Sequence, residues 1–82
     1  MIMQKTWYGY VYGNPFSTES YYKITEFPVF SSGTRLGSIY AKGDETHPNE
    51  FTPNLKIMIA NALATGISQI NTKGELIVSM IP

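Results

Sequence analysis

The sequence has no cysteine. Disulfides and thiolate metal sites are therefore excluded, and no redox compartment can be read. Charge is scarce: six basic and six acidic residues make 15% of the chain, against about a quarter in ordinary globular domains. Their sum is zero. That argues against nucleic acid or an anionic membrane as partner, and a small neutral domain tends to associate. No apolar run approaches the roughly 18 residues of a membrane span. Met1 to Trp7 has no apolar run preceded by basic residues, so no secretory signal is read. These absences predict a cytoplasmic protein, although a processed secreted product would read the same.

The chain has 82 residues, of which 43% are hydrophobic. One domain spanning residues 1–82 is expected, with a small core. No repeat, low-complexity tract or linker divides it.

The best-punctuated stretch is Phe51 to Gly66. Thr52 suits an N-cap, since its hydroxyl can accept from a free N–H of the first turn. Pro53 falls at the first helical position, where its missing N–H costs nothing. Gly66 suits the left-handed position after the last turn. A helix over 53–65 follows. At about 100° per residue, Leu55, Ile59, Ala62 and Leu63 share one face, with Met58 at its margin. Asn54, Asn61 and Thr65 form a polar stripe. Ile57, Ala60 and Ala64 form a third face, with only Lys56 charged nearby. Small residues there would let another backbone approach.

Strands are expected over 2–13, 21–27, 35–42 and 75–82. In the first, Tyr8, Tyr10 and Tyr12 alternate with Trp7, Gly9, Val11 and Gly13. Pro28 bars ladder donation after the second, with Val29 and Phe30 extended behind it. The third and fourth flank the helix, and they need a right-handed crossover if they are parallel neighbours. Residues 67–74 read as a loop. The expected fold is α+β: a small, mostly antiparallel sheet of about four strands packed on a single helix between strands three and four. One helix covers only one sheet face, so a partner is expected over the other.

Signals for chemistry are weak. Asp44, Glu45, His47 and Glu50 fall within seven residues, but their spacing matches no metal-binding loop. His47 has no nucleophile pattern to serve. Ser31 to Arg35 could offer N–H groups and a guanidinium to an anion, yet reads better as a turn. No enzyme, metal site or cofactor is expected.

The residues left for binding are Trp7, Tyr8, Tyr10, Tyr12 and Tyr22 on the strands, with Ile57, Ala60 and Ala64 on the helix. Tyr and Trp are favoured at protein interfaces. The tyrosine ladder could equally be core under the helix, with stacking on bases or sugars the lesser reading. Six scattered cations form no basic groove for nucleic acid. The expected function is non-enzymatic: protein–protein interaction or self-assembly, as a homo-oligomer or with another protein, through an aromatic sheet face and edge strands. The alternative is a module binding a sugar or nucleotide on a Trp/Tyr platform.

Overall fold

A computed structural model describes residues 5–25 and 32–82. In chain order it contains β1 (Lys5–Tyr10), β2 (Tyr21–Lys23), β3 (Arg35–Lys42), α1 (Pro53–Thr65), β4 (Gln69–Ile70) and β5 (Leu76–Ile81). The strands form one sheet of order β2-β1-β3-β5-β4, antiparallel at every pairing. The protein is thus a small α+β domain, with α1 between β3 and the β4–β5 hairpin.

The helix forms where its punctuation places it. The Thr52 hydroxyl accepts the Leu55 N–H at 3.1 Å. Gly66 adopts φ 73° and donates its N–H to the Ala62 carbonyl. The buried side chains are Leu55, Met58, Ile59 and Ala62. Met58 therefore takes the place expected of Leu63, which stays 41% exposed. The face is centred on Leu55 and Ala62, and Leu63 falls on its flank.

β3 has its expected bounds, and β5 lies within the stretch assigned to the last strand. β1 ends earlier than expected. Gly13, at φ 96°, turns the chain, and the Asn14 carboxamide accepts the Phe16 N–H. β2 covers the start of the second expected strand, and Ile24 continues the ladder with its N–H on the Trp7 carbonyl. The rest of that expectation, at Glu26 and Phe27, lies outside the described residues. So do the Val29–Phe30 extension and Ser31 of the expected turn.

β4 was not expected. Its two residues show no alternation of their own. Asn71 creates the hairpin: its side-chain oxygen accepts the Lys73 and Glu75 N–H groups, and Gly74 supplies φ 82°. This changes the crossover. β3 and β5 are antiparallel neighbours, so the conditional parallel pairing does not occur. Since β3 and β4 both run antiparallel to β5, they are parallel to each other, with β5 inserted between them.

The register defines two sheet faces, because side chains alternate along each strand. Tyr8 opposes Ile39, and Ile39 opposes Val78. These three join Met80, Ile59 and Ala62 in the core beneath α1. A bulge at Gly37 turns Leu36 to this same face, opposite Met80. The core extends past the helix through aromatic contacts. Tyr21 meets Phe51 edge-on at 5.5 Å between ring centroids, and Tyr10 meets Tyr21 at 5.4 Å. Both buried hydroxyls are satisfied: Tyr8 donates to the Asp44 carbonyl at 2.7 Å and Tyr21 to the Pro15 carbonyl at 2.6 Å. Burial raises the pKa of both phenols, with a smaller push from Tyr10 on Tyr21 and from Asp44 and Glu45 on Tyr8.

Candidate functional site

The tyrosine ladder divides among three environments. Tyr8 is 0% exposed, so it belongs to the core and offers nothing to a partner. Tyr10 packs against that core, with its hydroxyl on the Gly13 carbonyl. Tyr12 lies beyond the end of β1 and is 76% exposed. Three residues that share a face on an ideal strand are parted because the strand stops at the second.

The centre of the opposite sheet face is buried. Trp7 lies there, 8% exposed, with its ring 5.2 Å from that of Tyr40. Ser38 and Ser79, paired in the β3–β5 register on the same face, are also buried. Trp7 and Tyr8, expected as partner-facing, are both buried in the protomer. A buried indole cannot stack on a ligand.

The outer edge of β2 is covered too. The Lys23 N–H donates to the Thr46 carbonyl at 2.9 Å. His47 Nδ1 lies 2.7 Å from the Tyr21 carbonyl, which can only accept, so Nδ1 carries the proton. Lys23 also pairs with Glu45 at 3.2 Å, and the exposed Tyr22 ring packs on the His47 ring at 4.6 Å. Residues 45–47 thus occupy the outer edge of β2, where another strand would have to add. Just before β4, the Ser68 hydroxyl takes the Met80 N–H of β5 at 2.9 Å.

Asp44 holds the β2 guard in shape. Its carboxylate accepts the Thr46 and His47 N–H groups, each at 2.8 Å. The four residues Asp44, Glu45, His47 and Glu50 do not gather into a ligand set, and no group of three metal-binding side chains occurs among the described residues. The bonds from His47 and Thr46 lower the Asp44 pKa. A depressed carboxyl contributes its stabilisation above its unfolded pKa and loses it as pH falls through the folded one. The Thr46 and His47 amide resonances should therefore shift together in acid, with a midpoint below the usual aspartate value of about 3.9. A midpoint at or above that value would show that the carboxylate does not hold the loop.

Among the described residues, two apolar surfaces bear on binding. The first is the outer face of α1. Ile57 is 59% exposed, and Ala60 and Ala64 are exposed beside it, directly opposite the buried face. Leu63, on the flank, borders a groove of about 370 Å³ shared with Val11, Leu36 and Ile81. The second is a cleft of about 380 Å³ between the first half of α1 and the strand ends. Phe51, Leu55, Met58 and Ile77 line it, with Tyr40, Lys5 and Lys42. Sequence alone does not reveal this cleft, because Lys5, Lys42 and Ile77 meet only through strand pairing. The alternating Lys5–Trp7 and Tyr40–Lys42 patterns were the available signal, but neither reveals the register.

Among the described residues, no helix is long and apolar enough to cross a membrane. Comparison of the chain with family models, curated proteins and solved structures finds no match.

Proposed function

We propose that this protein is a non-enzymatic interaction module that self-associates through the outer face of α1. The observation that carries the reading is Ile57, Ala60 and Ala64, exposed on a thirteen-residue helix whose only charge is Lys56. A solvated helix normally carries charges on that side. The small side chains at 60 and 64 let a second helix approach closely, and Ile57 supplies apolar area. Leu63 continues this surface into the groove with Val11 and Ile81, both exposed. Zero net charge leaves no long-range repulsion between copies. With the β2 edge occupied and Trp7 and Tyr8 buried, the outer face of α1 is better supported as the contact than the β2 edge or a Trp7/Tyr8 platform.

Sedimentation over a rising concentration series should give a mass above that of one protomer. Ala60→Glu should weaken association by about a hundredfold or more, since it buries an unpaired carboxylate in the contact. The exposed site should keep the circular dichroism of the parent. A parent that stays monomeric, or a variant that associates equally well, would refute the reading.

A further inference from the structure

We propose that the cleft between the first half of α1 and the ends of β1, β3 and β5 binds a small amphipathic carboxylate. At about 380 Å³, it lies within the range of small-molecule sites, about 300–1,000 Å³. Its floor is apolar. Phe51, Leu55, Met58 and Ile77 line it while each is at most 9% exposed. Its rim carries Lys5 and Lys42, which stand directly opposite each other in the β1–β3 register.

Like charges opposed on paired strands destabilise a sheet. Among the described residues neither lysine has an ion pair, and neither does Glu50, the one carboxylate on the lining. Two lysines against one glutamate leave a single net positive charge, which matches a monoanion. A carboxylate between the two ammonium groups relieves their repulsion, and its hydrocarbon part covers the apolar floor. The first turn of α1 adds little to this attraction. Pro53 has no N–H, and the Leu55 and Lys56 N–H groups are already given to Thr52, which leaves the single Asn54 N–H. The site therefore rests on the lysine pair and the floor.

Octanoate serves as the probe, titrated into the full chain by calorimetry. It should bind saturably at one site. Octanol, with the same chain and no charge, and octylamine, with the opposite charge, should each bind at least about tenfold more weakly. Lys5→Ala and Lys42→Ala, both at exposed positions, should keep the fold by circular dichroism and weaken octanoate by about tenfold each. Glu50→Gln should tighten it by about threefold. Three results would overturn the proposal: no saturable octanoate binding, equal affinity for octanol, or affinity indifferent to both lysine changes.

Discussion

Ile59→Ala should lower the unfolding free energy by about 3–4 kcal/mol, a loss at the scale of large-to-small changes in well-packed cores. Ile59 is 0% exposed and sits mid-helix, one turn from both Leu55 and Ala62. It shares the core with Val78 and Met80, which are also fully buried. Alanine is the better helix former by a few tenths of a kcal/mol, so the loss comes from the cavity and the lost contacts. For a chain of 82 residues, total stability is expected at about 4–12 kcal/mol. This substitution therefore removes a large fraction of it. Leu63→Ala, on the exposed flank, is the matched control and should cost under about 1 kcal/mol. Urea denaturation of both variants makes the comparison. Equal losses would mean that α1 is not seated as described.

Gly43→Ala should detach the loop that guards β2, at a cost of about 3 kcal/mol. The glycine is required by space alone, since its φ is not positive. A Cβ at residue 43 would lie 2.4 Å from the Tyr8 hydroxyl, 2.5 Å from Pro48 Cα and 2.6 Å from the His47 carbonyl oxygen. Two of these atoms are backbone. The third is the hydroxyl of a ring that is itself 0% exposed and already bonded to the Asp44 carbonyl. Relief requires moving the loop, which breaks the Tyr8 bond to the Asp44 carbonyl and the Lys23 bond to the Thr46 carbonyl. Hydrogen exchange at the Lys23 amide reads this directly and should accelerate by about a hundredfold. The uncovered edge should also promote aggregation through strand addition. Parent-like exchange at Lys23 and an unchanged melting temperature would contradict the guard role of the loop.

Legibility from sequence followed the range of the interactions. Thr52, Pro53 and Gly66 each act on backbone groups within four residues, so the bounds of α1 could be read directly. β3 was equally clear, because Ile39 and Ala41 alternate with Ser38 and Tyr40 over a full strand. β4 was not, since two residues cannot display a period and the strand exists by virtue of β5 and the Asn71 turn. The exposed Ile57/Ala60/Ala64 face was found by helical arithmetic, whereas the cleft needed the positions of four separate elements.

The tyrosines mark the boundary between the two kinds of knowledge. Alternation alone determined that Tyr8 and Trp7 lie on opposite faces of β1, and local capping determined where the helix starts and stops. Only the tertiary structure decided which face the helix covers, that Trp7 on the other face is buried as well, and that residues 45–47 occupy the edge of β2. The reason is physical. Alternation and capping depend on bond geometry between near neighbours, while burial depends on which distant side chains the strand register brings opposite one another. Tyr8 and Tyr12 have equal claim to an interface on a bare strand. Ile39, Val78 and the turn at Gly13 send one into the core and leave the other in water.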